Sequence, residues 1–359
     1  MLVTNTNELR QSVNEIEVYG MVKEADLTAK SKVDGSGNKV DYLTGKLTIW
    51  VSDEKEVVVN AAYITKFNKN GDVKKVYTTL LDIANKKLPT MANLAEFKQV
   101  QANKARQMYS NDAQMLEQEL AKIEAMEATV VSIWGSDSAF KSRLADNTFW
   151  SSKDEKIVEG TPKIDLGFAN VTVKTDYDKA DFFCKGAIEI FITGVVPVEG
   201  KDETIVKGYA VAYGSKVFPI EVVAVAEEGG FNFADMCASQ LTAGMTVTFF
   251  IDVVFGKKVT KIERGGFGKP TISEKTTYYQ RFETLGGELT NDVKSYDEDA
   301  VRQAVTVRKT TYFSQLETDA KNRENQPKPQ QQGFGGTGFG AGFGAPAQAP
   351  QRPNPSSLF

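Results

Sequence analysis

The chain has 359 residues, of which 41% are hydrophobic and 25% charged, with a formal net charge of −4 at pH 7. The length predicts two or three domains, and the composition is that of an ordinary globular protein. The net charge and an isoelectric point near 5.3 exclude a generally polycationic protein, but they leave room for a local basic stripe that binds nucleic acid.

Three strands are predicted at the beginning of the chain, over about 14–66. In the first two strands apolar positions alternate with polar ones, so every second side chain is expected to face outward. The outward positions combine aromatic residues with lysines: Tyr19, Lys23, Lys46 and Trp50.

A basic stretch follows over 61–90, where six lysines, including Lys74 and Lys75, stand against two aspartates, a net charge of +4. The run over about 90–126 contains neither Gly nor Pro and is rich in helix-forming residues. It predicts a helix inserted in the first domain, followed by a strand. Further strands within 136–180 are expected either to close a first barrel or to lead to a second one.

The stretch from 187 to 264 is the clearest part of the sequence. It predicts a strand, a bent pair of strands, a short helix and another strand, with a last strand over 276–287. Alternation along these strands turns one group of aromatic and basic residues outward: Phe191, Lys207, Tyr209, Tyr213 and Phe250.

A second basic segment lies over 245–281, where seven Lys and Arg residues stand against three acidic ones, a net charge of +4. Three of these cations follow the last apolar strand directly: Lys257, Lys258 and Arg264. A helix is predicted over 297–324. The tail over 326–359 is rich in Gly, Pro and Gln and cannot bury enough apolar surface to fold, so it is expected to be disordered.

The order of strand, hairpin, helix and strand occurs twice, and it is the order of the OB-fold, a small Greek-key barrel whose open strand face binds oligonucleotides. The predicted fold class is therefore mainly β with added helices (β + α): two OB-fold-like barrels and a disordered tail. The predicted domains are an N-terminal one over 1–180, a second one over 181–325, and the tail over 326–359.

No catalytic or metal-binding pattern is apparent. Histidine is absent, and Cys184 and Cys237 form no metal-ligand spacing, so we expect a binding protein without cofactor, zinc site or disulfide framework. The segment GGFGKP over 265–270 lacks the spacing and the following Ser or Thr of a phosphate-binding loop. The sequence shows no signal-peptide pattern and no long apolar run, which predicts a cytoplasmic protein that does not contact membranes.

Binding of single-stranded nucleic acid requires aromatic side chains on which bases stack and a basic groove that follows the phosphates. A single outward aromatic residue more often packs against a neighbouring strand or helix, and a single lysine is usually only solvated. The pattern nevertheless recurs in both barrels, which favours a nucleic-acid-binding face. The predicted binding residues are Tyr19, Lys23, Lys46, Trp50, Lys74, Lys75, Phe191, Lys207, Tyr209, Tyr213, Phe250, Lys257, Lys258 and Arg264.

The chain resembles the single-stranded DNA-binding proteins of bacteria and their phages. The resemblance lies in the barrel pattern, chiefly over 187–264, and in folded barrels followed by a tail that ends in Phe359. It implies sequence-nonspecific binding of single-stranded DNA during replication, recombination or repair, in the host cytoplasm if the protein is viral. In that family an acidic tail tip docks replication and recombination proteins, whereas PNPSSLF carries no acidic residue.

Two other functions are compatible with the sequence. A viral structural or assembly protein would use the barrels as a scaffold and bury the outward aromatic residues at protein interfaces. An OB-fold replication factor could instead bind RNA or protein.

Overall fold

The computed structural model describes most of the chain. Its described residues are 9–68, 70–134, 143–166, 169–227, 230–264, 271–291 and 295–324, with side chains left out over 257–264, 271–273 and 275–278. The predicted disordered tail and the GGFGKP loop lie outside the described residues. Among the described residues, no helix is both long and apolar enough to cross a membrane.

The N-terminal part of the chain forms a closed barrel. The strands of this part are β1 (Asn14–Val33), β2 (Lys39–Ser52), β3 (Lys55–Thr65), β4 (Val130–Trp134), β5 (Arg143–Ala145), β6 (Thr148–Ser151), β7 (Lys156–Glu159), β8 (Lys163–Asp165) and β9 (Asn170–Lys174). Strands β6 and β7 form a two-stranded sheet of their own, outside the barrel. Strand β1 pairs with β2 and β4, β3 pairs in parallel with β8, and β4 pairs with β9. Strands β8 and β9 together close the barrel, since β8 pairs with β3 and β9 pairs with β4, which is the first of the two alternatives expected for this segment.

The helices of the first barrel differ from the prediction. They are α1 (Lys75–Ala84), α2 (Leu94–Met108) and α3 (Ala113–Glu124). The single helix expected over 90–126 is a helical hairpin, since the chain turns at 109–112 and Asp112 caps α3 by accepting a hydrogen bond from the Met115 amide at 3.0 Å. The helix that packs on the barrel is α1, whose presence inside the basic stretch was missed.

Burial explains the different roles of these helices. Helix α1 buries four side chains against the barrel, namely Val76, Tyr77, Leu80 and Ile83. In contrast, α2 buries only Ala105 and α3 only Ile123. The apolar spacing of α1 is that of a helix with one buried face. The segment was nevertheless interpreted only as a basic stretch, because six lysines lie in and around it.

The second part of the chain forms a barrel of the same topology. Its elements are β10 (Phe183–Pro197), β11 (Glu203–Ala212), β12 (Lys216–Val225), α4 (Phe233–Gln240), β13 (Thr246–Arg264) and β14 (Thr271–Leu289). Strand β10 pairs with β11 and β13, β11 with β12, β12 in parallel with β14, and β13 with β14. This closed order, with the helix before the fourth strand, is the OB-fold topology that was predicted.

The two barrels share one hydrogen-bonded sheet of twelve strands among the described residues. The junction is an antiparallel pairing of β1 with β10, from Asn14 opposite Ile188 to Tyr19 opposite Phe183. A Cβ atom on Gly186 would collide with the carbonyl oxygen of Glu15, so a glycine is required at this close approach. The domain boundary at 180 stays a prediction.

The chain continues after the second barrel as a long helix. It comprises α5 (Glu298–Val307), a π-helical turn (Arg308–Tyr312) and α6 (Phe313–Glu324), in agreement with the helix predicted over 297–324. Asp297 caps α5 by accepting a hydrogen bond from the Ala300 amide at 2.8 Å. This helix lies on the outer face of the second barrel, which decides how much of that face is accessible.

Candidate nucleic-acid interface

A partly exposed strip of aromatic and basic side chains runs along the outer face of β2 and β3, with one lysine from the end of β1. The rings of Tyr42 and Tyr63 lie 4.5 Å apart between centroids, and Lys32 Nζ lies 4.2 Å from the Tyr63 ring centroid. Farther along, Lys66 Nζ lies 5.1 Å from the Phe67 ring. We call these residues together with Lys46 the open strip: Lys32, Tyr42, Lys46, Tyr63, Lys66 and Phe67.

Strand geometry explains why these residues share a face. On β2 the buried residues Leu43 and Leu47 alternate with Tyr42 and Lys46, which therefore point away from the core. On β3 the register shifts between the pairs Leu43–Ile64 and Gly45–Ala61. This bulge breaks strict alternation on β3 beside Tyr63, which is 40% exposed.

The sequence predicted Lys46 in this strip but missed its aromatic members. Tyr42 has the same parity as Lys46 and could have been found from alternation alone. Tyr63 could not, since the bulge shifts its parity. Phe67 follows the end of β3, where strand parity no longer applies.

Lys74 and Lys75 border the open strip. Lys74 Nζ donates a hydrogen bond to Thr65 Oγ1 at 2.6 Å, and partial burial lowers the pKa of this lysine. Lys75 begins α1 and is exposed. Both lie where β3 ends and α1 begins, so the structure brings these two predicted residues close to the aromatic end of the strip.

The other predicted residues of the first barrel belong to a separate aromatic cluster. Tyr19 and Trp50 contact Phe182 edge to face, with centroid distances of 5.1 and 6.0 Å. Phe182 is 8% exposed and lies in the segment between the barrels, where Tyr177 also contacts it at 6.0 Å. These two predicted stacking residues are therefore partly covered by the connecting segment.

Ion pairs and hydrogen bonds hold this connecting segment in place. Tyr177 donates a hydrogen bond to Glu127 at 2.7 Å, and Lys179 contacts the same carboxylate at 2.6 Å. Burial, with help from the Glu127 hydrogen bond, raises the pKa of Tyr177 to about 12. Lys23, which was predicted to contact phosphates, forms an ion pair with Glu56.

The corresponding face of the second barrel is covered. Phe191 is 5% exposed and packs in a cluster with Val211, Val217, Tyr296 and Val301, the last of which belongs to α5. The prediction of a solvent-facing Phe191 is therefore wrong. Its side chain does point away from the barrel core, but the helix after the barrel buries it.

The other predicted residues of this face differ in exposure. Tyr209 packs half-buried against the same cluster, and burial raises its pKa. Lys207 is exposed and pairs with Glu221 at 3.0 Å. Tyr213 is 81% exposed at the turn between β11 and β12, away from the open strip of the first barrel.

A buried carboxylate anchors the segment that leads into α5. Glu189 is 2% exposed and accepts hydrogen bonds from Arg10 at 2.6 Å, from Thr290 at 2.9 Å and from the Tyr296 hydroxyl at 3.1 Å. Burial alone would raise the pKa of Glu189, but the hydrogen bonds and the charge of Arg10 hold it below its ordinary value. No local pattern in the sequence indicates this network, because its members are far apart along the chain.

A second buried ion pair fixes the other end of α5. Arg308, 6% exposed in the π-helical turn, pairs with Asp146 and Glu159 and donates to the Val217 carbonyl oxygen at 2.9 Å. Beside it, a cavity of about 590 Å³ that is open to solvent lies between the helix and the barrel. Leu9, Lys216 and Ala304 are among the residues that line this cavity.

The later strands place their predicted residues elsewhere. Phe250 is 49% exposed, but it borders a cavity that is lined by Glu15, Glu17, Asp252 and Glu283. This acidic surrounding disfavours phosphate binding. The remaining three predicted residues lie on the extended end of β13, where the structure describes the backbone but not their side chains: Lys257, Lys258 and Arg264.

The described residues contain no group of three or more Cys, Asp or Glu side chains that could hold a metal ion. Both cysteines are buried and unpaired with each other. Burial raises the pKa of Cys184 to about 12 and that of Cys237 to about 11, so both thiols stay protonated at neutral pH.

The topology defines a protein of two OB-type barrels in one continuous sheet, with an open strip on the first barrel and a helix over the second. The chain belongs to the YorF family, whose model matches residues 125–319. This match covers β4–β14 and extends through α5 into α6.

A solved structure that resembles the chain is that of wild-type single-stranded DNA binding protein from Thermus aquaticus. The TM-score is 0.35 at 10% sequence identity, and the alignment covers 79% of this chain and 95% of that chain. The search of curated proteins found no match. Because this TM-score is low, the fold assignment rests on the strand pairing described above.

Proposed function

We propose that the protein binds single-stranded DNA without sequence preference, along the open strip of the first barrel. The observation that carries the proposal is the contact of the exposed Tyr63 with the half-buried Tyr42, with Lys32 over the Tyr63 ring and Lys46 on the same face. Aromatic faces accept any base, and lysines neutralise phosphates whatever the sequence, so this combination favours nonspecific binding.

Each group has a defined task in the proposed complex. Tyr63 and Phe67 are 40% and 47% exposed, and both can accept a base on the ring face that points to solvent. Lys46 carries no ion pair to a described residue and is available to a phosphate. Lys66 lies 3.9 Å from Asp41, and so weak and exposed a pair can give way to a phosphate.

The cellular role that we propose is protection of single strands during replication, recombination or repair, in a phage. Support comes from the sequence resemblance and from the two-barrel topology. We propose binding rather than catalysis as the role of the barrels. Docking of replication proteins by the tail is a further part of the proposal and concerns residues outside the described part of the chain.

Titration of the full chain with oligo(dT) tests the proposal. Binding should raise the fluorescence anisotropy of a dye-labelled oligo(dT), a readout that does not depend on Trp50, which lies outside the open strip in the covered cluster. If about four lysines contact phosphates, the logarithm of the affinity should fall with the logarithm of the salt concentration with a slope of about −3.

Duplex DNA and oligo(U) serve as competitors in the same titration. Weak competition by duplex DNA supports selectivity for single strands, and strong competition by oligo(U) would indicate an RNA-binding protein. A wild-type chain that binds no oligonucleotide at low salt would contradict the proposal, and it would favour the structural or assembly role.

A further inference from the structure

Helix α5 covers part of the outer face of the second barrel. By strand register, the covered pair Phe191–Tyr209 corresponds to Met21–Trp50 of the first barrel, and Trp50 lies on the same face of β2 as Tyr42 and Lys46 of the open strip. Strands β10, β11 and β12 hold the places of β1, β2 and β3 in the common topology. We infer that this covered face is a second site for single-stranded nucleic acid, which becomes accessible when α5 leaves the barrel. The inference rests on the proposed function, because it assigns the same ligand to a second site.

The residues under and beside the helix match the chemistry of the open strip. Phe191 on β10 lies opposite Tyr209 on β11 in the strand register. Lys207 continues the same face, and its pair with Glu221 is exposed on both sides, at 48% and 60% of the side-chain surface. Such a pair contributes little to stability, so a phosphate can replace Glu221 as the partner of Lys207. The face thus offers two aromatic rings and a cation in adjacent positions.

The helix covers this face without dense packing. Val301 is the only buried residue of α5, and the described part of α6 buries none. The cavity of about 590 Å³ lies between the helix and the barrel, lined by Ala304 and Val307 on the helix side. Because this space is open to solvent, the helix contacts the barrel there over only part of its surface. Release of α5 therefore uncovers few apolar contacts compared with release of a true core helix.

Polar anchors at both ends define how the helix can leave. The segment before α5 is held by Tyr296, whose hydroxyl contacts Glu189 and Ser12. After α5, Arg308 binds Asp146 and Glu159, which flank the β6–β7 hairpin. The Arg308 ion pairs rehydrate on release, so they position the helix while adding little net stability to the covered state.

A carboxylate introduced into the cluster under the helix tests this inference in the full chain. Val301→Asp places an uncompensated charge among Phe191, Val211 and Val217 and should favour release of α5. The matched control is Thr306→Asp, because Thr306 is on the same helix but is exposed and does not line the cavity. We expect Val301→Asp to occlude more nucleotides of oligo(dT) per molecule, and to bind long oligonucleotides about tenfold more tightly than the control, the value of one base stack.

Hydrogen exchange on the wild-type protein gives a second readout if Val301→Asp fails to fold. With long oligo(dT) bound, amides of 298–307 should exchange faster and those of 203–212 more slowly than in the unbound protein. Unchanged or slower exchange of 298–307 with DNA bound would overturn the inference, as would a released helix with an unchanged site size. A wild-type chain that binds no oligo(dT) would instead contradict the proposed function itself.

Discussion

The two barrels share a topology and an outward pattern of aromatic and basic residues, but different segments cover different parts of that pattern. In the first barrel the segment after the last strand covers Tyr19 and Trp50 but leaves Tyr63 and Phe67 exposed. In the second barrel the segment after the last strand becomes α5 and buries Phe191. Access to an OB-type face is therefore decided here by the segment that leaves the barrel, rather than by the strands that build it.

The largest expected effect is on stability, and it compares the loss of a covered aromatic residue with the loss of an exposed one. Phe191→Ala removes a ring that is 5% exposed, and we expect it to lower the free energy of unfolding by about 3–4 kcal/mol. Phe250→Ala is the control, since Phe250 is 49% exposed and should cost less than about 1 kcal/mol. Urea unfolding followed by circular dichroism measures both. Equal losses would show that α5 does not bury Phe191 in solution.

Loss of the buried Glu189 carboxylate should lower the free energy of unfolding almost as much. Glu189→Gln keeps the shape of the side chain but leaves Arg10 without its charge partner, and we expect a loss of about 2–3 kcal/mol. Glu221→Gln is the matched surface control, because the pair of Glu221 with Lys207 is exposed and should change stability by less than about 0.5 kcal/mol. If Glu189→Gln lowers the free energy of unfolding no more than the control does, the Glu189 network does not stabilise the second barrel.

The same carboxylate predicts a pH dependence. The pKa of Glu189 is lower in the folded protein than its ordinary value of 4.5. The stabilisation that the Glu189 carboxylate provides is therefore fully present above the pKa of the unfolded state, and it is lost as the pH falls through the pKa of the folded state. The difference in melting temperature between wild type and Glu189→Gln should be constant above about pH 5.5 and shrink below pH 4.5. A difference that grows on acidification would contradict the lowered pKa.

Loss of an exposed aromatic residue should affect binding and not folding. Tyr63→Ala should weaken oligo(dT) binding by about 1–3 kcal/mol, the usual contribution of one stacked base. Phe149→Ala is the control, because Phe149 is 47% exposed on the separate β6–β7 hairpin. Fluorescence titration measures both variants. If the wild type binds oligo(dT) and Tyr63→Ala binds it equally tightly, the binding site does not lie on the open strip.

The smallest expected effect concerns a single phosphate contact. Lys46→Gln should make the salt dependence shallower by about 0.7 in the log–log slope, the value for one contact with single-stranded DNA. Lys104→Gln on α2 is the control, since Lys104 is also exposed but lies on the helical hairpin outside the open strip. Equal slopes in the two variants would exclude Lys46 from the interface.

Local pattern predicted the barrels well, because the order of strands and helix repeats and because alternation along β2 identifies Lys46 and Trp50 as outward. It missed features that depend on distant contacts. The cover over Phe191 arises from a helix about 110 residues later, and the Glu189 network joins positions 10, 189 and 296. Tyr63 was missed for a local reason, since a bulge beside it breaks the alternation that the prediction used.

Because β1 pairs with β10, we expect the two barrels to unfold together. Backbone hydrogen bonds cross the junction, and the largest cluster of buried apolar residues contains side chains from both barrels. A domain that loses its neighbour here would expose an unpaired strand edge and part of its own core. The protein should therefore melt in one cooperative transition. Gly186 is the residue whose enlargement would divide that transition into two, because no side chain fits against Glu15 at the point where the barrels meet.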